Sequence, residues 1–239
     1  FLTAAVLVVA FLYSSVGHAG ASGYIAVMSL FNLAPAEIKP TALVLNVLVA
    51  SIATWQFWRA GHFSWRLFWP FAVLSVPMAF VGGWVDLPAH AFKVLVGVVL
   101  LFSAFRFLFS GSVPDVVEEE PRPLVAIPVG AGLGLLAGLT GTGGGIFLTP
   151  LLLLKRWARV KTAAAVSALF ILVNSVAGLL GNLGSARNVP SFAIVLGAAA
   201  VIGGTLGSYV GSQRFRPVAI RRSLALVLLI AGAKLVLTR

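Results

Sequence analysis

Two glycine-rich runs inside apolar sequence hold the residues best suited to chemistry. The first is Gly17-His-Ala-Gly-Ala-Ser-Gly23. The second is Gly138-Leu-Thr-Gly-Thr-Gly-Gly-Gly145, followed by Ile-Phe-Leu-Thr-Pro150. Each glycine costs a helix roughly 1 kcal/mol against alanine, so a helix entering either run is expected to break. A helix that restarts beyond the break presents unpaired N–H groups and the positive end of its dipole. That is the chemistry of anion binding, and glycine lets an anion come close to the backbone. The expected backbone donors lie around Gly20 and Gly23, and around Gly141, Gly143, Gly144 and Gly145. Ser15, Ser22, Thr140 and Thr142 could add hydroxyl donors. A leucine at Gly144 is expected to abolish transport while leaving the protein folded.

Four further positions are candidates. His18 is the one ionisable residue within a break. It reads as an anion donor or a proton-linked switch, or else as a histidine bonded to backbone that the break frees. Lys39 and Lys161 start the helices after the two breaks. They read as lysines that draw anions inward, or as interfacial snorkelling lysines. Asn46 and Asn174 lie deeper in the same helices and read as interhelical bonds or cavity lining.

Several chemistries are excluded or disfavoured. The six acidic residues, Glu37, Asp86, Asp115, Glu118, Glu119 and Glu120, fall outside the apolar segments or at their ends. The lack of a carboxylate in mid-membrane argues against a cation substrate and against a carboxylate proton relay. Cysteine is absent, which removes disulfides and thiolate metal sites. No cofactor or metal is expected. The Gly-Thr-Gly-Gly-Gly run lacks the Gly-Lys-Ser/Thr ending of a nucleotide loop. Gly20-Ala-Ser-Gly23 resembles the nucleophile motif of rhomboid intramembrane proteases. A serine there needs a base, and His62 and His90 fall in loops while His18 lies across the break. A passive anion channel is the nearer alternative.

The elements that position these residues are membrane helices. The chain has 239 residues, 60% of them hydrophobic and 10% charged, and its mean hydropathy is +1.05. A soluble domain carries about 25% charged residues. The net charge of +11 fits positive-inside topology and contact with anionic lipid, with a bias toward anionic cargo as the sharper reading. The basic residues are scattered over short loops, which argues against nucleic acid. The first apolar segment has no basic n-region or small-residue cleavage site and reads as a retained span.

Apolar segments fall in two series, separated by a polar loop over 110–123. Residues 1–109 and 124–239 are expected to be homologous halves, each a long broken element followed by three transmembrane helices. An offset of 122 places Gly23 on Gly145 and Lys39 on Lys161. If each broken element is a re-entrant hairpin, 12 of the 17 basic residues share one face. If each crosses once, the split is more even. The positive-inside rule favours the hairpin. That arrangement makes the halves inverted repeats in a multi-pass cell-membrane protein, with both termini extracytoplasmic. Trp55, Trp58, Trp65 and Trp69 read as an interface belt. The spacing of Gly130, Gly134 and Gly138, and of Gly203, Gly207 and Gly211, reads as tight helix packing.

At these residues the chain resembles the TauE/SafE family of sulfite-exporter-like permeases. The resemblance rests on Gly141-Thr-Gly-Gly-Gly-Ile-Phe-Leu-Thr-Pro-Leu151, on Val16-Gly-His-Ala-Gly-Ala-Ser-Gly-Tyr24 and on the two-half layout. It implies secondary transport or export of small sulfur-containing anions such as sulfite or organosulfonates. It carries the site onto Gly141, Gly143, Gly144, Gly145 and their first-half partners. The first half departs from the family pattern at Ala19, Ala21, Ser22 and Met28.

Overall fold

The computed structural model describes residues 1–15, 18–109, 121–184, 189–213, 228–230 and 232–237. Gly17, loop residues 110–120, Arg187 and the basic cluster over 214–222 lie outside that set. Among the described residues every regular element is a helix, as expected. The order is α1 (Leu2–Ser15), α2 (Ala21–Leu30), α3 (Pro35–Arg59), α4 (Trp65–Trp84), α5 (Ala89–Phe109), α6 (Pro123–Thr140), α7 (Gly145–Leu154), α8 (Val160–Gly184) and α9 (Phe192–Gln213). Residues 228–230 and 232–237 are also helical. Helices α3, α4, α6, α8 and α9 are long and apolar enough to cross a membrane.

Both breaks fall in the expected runs. Gly20 (φ +103°) starts α2, and Gly144 (φ +79°) starts α7. Gly141 and Gly143 also have positive φ. Side chains other than glycine's rarely accept that left-handed region. These glycines also correct the offset between the halves. Gly20 and Gly144 are 124 positions apart, and α3 and α8, each 25 residues long, begin 125 apart. The offset of 122 is therefore short by two or three residues. Lys39 is the fifth residue of α3 and Lys161 the second of α8, so the two lysines do not correspond. A glycine string offers several matches that look equivalent, and only the left-handed residues fix where a helix restarts.

Most packing joins one half to the other: α4 with α6 and α8, α1 with α9, and α3 with α8 and α9. The pattern survives exchange of α1–α4 with α6–α9. The pair α4–α6 becomes α9–α1, α4–α8 becomes α9–α3, and α2–α3 becomes α7–α8.

Residue pairs give the helix directions. Gly130, Gly134 and Gly138 of α6 lie on the carbonyls of Phe71, Ser75 and Ala79 of α4 in step, so these helices are parallel. Gly203 and Gly207 of α9 lie likewise on Leu7 and Phe11 of α1. Helix α8 is parallel to α4, pairing Asn174 with Ser75 and Gly181 with Phe80. It is antiparallel to α3, pairing Ser175 with Asn46 and Ala164 with Phe57. Helix α7 runs against α8, with Gly145 at Ile171 and Thr149 bonded to Ser167. The chain therefore reverses between α6 and α7.

Lipid gives helices no hydrophobic reason to associate, so close backbone approach has to hold them. A Cβ on Gly134 would fall on the Ser75 carbonyl oxygen, whereas one on Gly132 meets nothing within 4 Å. Gly134→Ala is expected to destabilise the protein by about 1–3 kcal/mol through overpacking. Gly132→Ala should leave stability unchanged or raise it by up to about 1 kcal/mol. Thermal unfolding of both variants in detergent checks the contrast.

Candidate functional site

The second break lies beside the middle of α3 and α8. Asn46 is the twelfth residue of α3 and Ile171 the twelfth of α8. Every residue from Thr140 to Ile146 is buried. Thr140 Oγ1 donates to the Leu136 carbonyl at 2.6 Å and lies 2.9 Å from Thr142 Oγ1. Asn46 reaches across from the other half. Its Nδ2 donates to Ser175 Oγ at 3.2 Å and lies 3.5 Å from the Gly141 carbonyl oxygen. Its Oδ1 has no hydrogen-bond partner. Asn174 accepts from Ser75 Oγ at 2.7 Å and donates to the Phe170 carbonyl at 2.9 Å. Both asparagines are wholly buried and tie helices together at this level. Gly143 packs against Ile171 and Ser175, and Gly145 against Ile171.

Residues 18–23 of the first break are equally buried. The His18 side chain is 7% exposed, and its backbone N–H donates to the Tyr13 carbonyl at 3.0 Å. Ser22 Oγ donates to Tyr13 Oη at 3.0 Å, so the hydroxyl proton expected to be free for a ligand is already engaged. Ser15 Oγ turns back to the Leu12 carbonyl at 2.7 Å. Gly23 packs on Val9 and Tyr13, which seats α2 on α1. Gly20 lies under the ring of Tyr24.

The two lysines differ sharply. Lys39 is 5% exposed, and its Nζ donates to the carbonyls of Gly82 (3.0 Å), Gly83 (3.1 Å) and Val85 (3.4 Å). These belong to the last turn of α4, whose carbonyls lack intrahelical partners and carry the negative dipole end. Lys161 is exposed beside the α3–α4 loop, where its charge acts on His62. The structure thus brings Asn46, Asn174 and the second glycine run together, and seats His18, Gly20, Ser22 and Gly23 around the first. Lys161 stands outside both groups.

Sequence reading missed Tyr13, Tyr24, Ser75, Ser175 and Lys234. Tyr24 had a local signal, because a residue four positions after a glycine N-cap folds back over it. Ser75 and Ser175 had none. Lys234 Nζ donates to the carbonyls of Ser29 (3.0 Å) and Leu30 (3.2 Å) and to Asn32 Oδ1 (2.8 Å), closing the end of α2. The Gly144 expectation also changes. With φ +79° and a would-be Cβ 2.9 Å from the Phe170 ring, Gly144→Leu disturbs the fold as well as any site.

Long apolar helices and paired buried breaks mark a multi-pass membrane protein. Over residues 2–235 the sequence matches the family described as Sulfite exporter TauE/SafE. The chain belongs to that family. It is 38% identical over 238 residues to a probable membrane transporter protein of Sinorhizobium fredii, covering 98% of this chain and 96% of that one. It is 25% identical over 146 residues to a probable membrane transporter protein of Methanocaldococcus jannaschii, covering 60% and 54% respectively. No solved structure matches.

Partial burial first, and the Lys161 charge second, hold the His62 imidazole below its ordinary value of 6.5. The fold favours the neutral ring. The associated stability is present above pH 6.5 and is lost as pH falls below it. Histidine NMR in micelles should give His62 a midpoint below 6.5. Lys161→Gln should raise that midpoint only part of the way, because burial is the larger cause.

Proposed function

We propose that the protein is a secondary transporter of small sulfur-containing anions, such as sulfite or organosulfonates, bound centrally between the two breaks. The observation that carries this is the pair of buried helix N-termini, each set on a left-handed glycine at Gly20 and Gly144. Both helices are 10 residues long. At 1.5 Å per residue each spans about 15 Å, half of a hydrocarbon core of about 30 Å, so their starts fall near its midplane. Two such ends supply N–H donors and positive dipole without needing a basic side chain. The family's description as sulfite exporters supports the choice of cargo.

The halves are read as inverted repeats with re-entrant hairpins. In support, the corresponding helices α3 and α8 are antiparallel, and the chain reverses between α6 and α7. Charge supports it too. The helix directions gather Arg59, Arg66, Arg122, Lys155, Arg156, Arg159 and Lys161 at one end, with Lys39, Lys93 and Lys234 at the other. The positive-inside rule makes the first end cytoplasmic and leaves both termini on the opposite side. Trp55, Trp58, Trp65 and Trp69 are exposed at the arginine-rich end, as an interfacial belt requires.

Flux of labelled sulfite and sulfoacetate into proteoliposomes, with sulfate and chloride as competitors, tests the reading. Saturable, gradient-driven flux blocked by sulfur anions is expected. Flux that never saturates would mean a channel. Folded protein that moves no sulfur anion would overturn the cargo.

A further inference from the structure

We propose that the first break is the seat that grips the anion, and that the Tyr24 hydroxyl is its side-chain donor. The proposal deepens the transport reading and rests on it for the cargo. Tyr24 is fully buried, and its Oη has no hydrogen-bond partner. An unpaired hydroxyl in such a place is costly and calls for an acceptor. Its position says which acceptor. The ring folds back along α2, so that Oη and Cζ each lie 2.8 Å from where a Cβ on Gly20 would stand. Gly20 is the N-cap, and the first bond of α2 runs from the Tyr24 N–H to the Gly20 carbonyl at 2.9 Å. The N–H groups of Ala21, Ser22 and Gly23 therefore have no carbonyl to meet within the helix. The phenol brings an O–H to the positive end of a helix, where the free backbone groups are all N–H donors. The matching ligand is a small anion that only accepts.

The second break is built differently. At an offset of 124 from Gly20 to Gly144, Tyr24 corresponds to Leu148 and Ser22 to Ile146. Thr140 and Thr142 bond to each other, and Asn46 Nδ2 is held by Ser175 and the Gly141 carbonyl. The unpartnered atom of that amide, Oδ1, is an acceptor and repels an anion. The second run braces the two halves, and the first supplies the discriminating donor.

Tyr24→Phe removes one oxygen and keeps the ring over Gly20. The measurements are sulfite KM and kcat in proteoliposomes, and thermal stability in detergent with and without sulfite or chloride. The expected result is a KM raised tenfold or more, an unchanged or higher melting temperature without anion, and a reduced shift on adding anion. Wild-type KM in Tyr24→Phe would overturn the assignment and leave sulfite transport standing. Loss of stability without anion would mean a structural role and would also overturn it. If chloride but not sulfite stabilises the wild type, and Tyr24→Phe loses that shift, the sulfur cargo fails and the seat stands. If neither anion stabilises the wild type, the seat fails. Should Tyr24→Phe not fold, 3-fluorotyrosine placed at position 24 alone gives a second measurement. Its fluorine resonance moves on adding sulfite or chloride if the seat is there, and stays fixed if it is not.

Discussion

A broken helix in hydrocarbon has to find partners for the polar backbone it frees, and much of this structure answers that need. Water is absent from the bilayer core, so each freed N–H or C=O must be met by protein or ligand. The helix ends are met in three ways. Lysines from other helices close two C-terminal ends, Lys39 at α4 and Lys234 at α2. A side-chain amide, Asn46, steadies the carbonyl at the second break. In the proposed function, an anion meets the buried N-terminus that starts at Gly20. A buried ammonium is expensive in this setting unless the negative end of a helix receives it, which explains why Lys39 can sit deep in the protein.

The same solvent decides how the helices pack. Backbone meets backbone along α4–α6 and α1–α9, with glycines of one helix on the carbonyls of the other. Most helix-to-helix contacts cross between the halves. This interlock places the middle of α3 against the middle of α8 and brings Asn46 and Ser175 together from positions 129 residues apart.

The two breaks share geometry and differ in chemistry. Both restart a ten-residue helix from a left-handed glycine. The first surrounds that start with Tyr13, Tyr24, Ser22 and Val9, and the second with Phe170, Ile171, Ser175 and Asn46.

The sequence by itself determined the class of protein, the two breaks, the division into helices and the use of small residues for packing. Each depends on composition or short-range spacing, since an apolar run long enough to span and a glycine that admits positive φ are local properties. Its charge pattern favoured broken elements that return, although hydrophobic length alone fits either path. Its offset between the halves was short, because repeated glycines align in more than one way. Only the tertiary structure decided the helix directions, the burial of Lys39 and the exposure of Lys161. It also decided that Ser22 is spent on Tyr13 while Tyr24 is left with an open hydroxyl. Those outcomes depend on which carbonyl or hydroxyl another helix brings within 3 Å, and that is set by how the halves interlock and not by any neighbour along the chain.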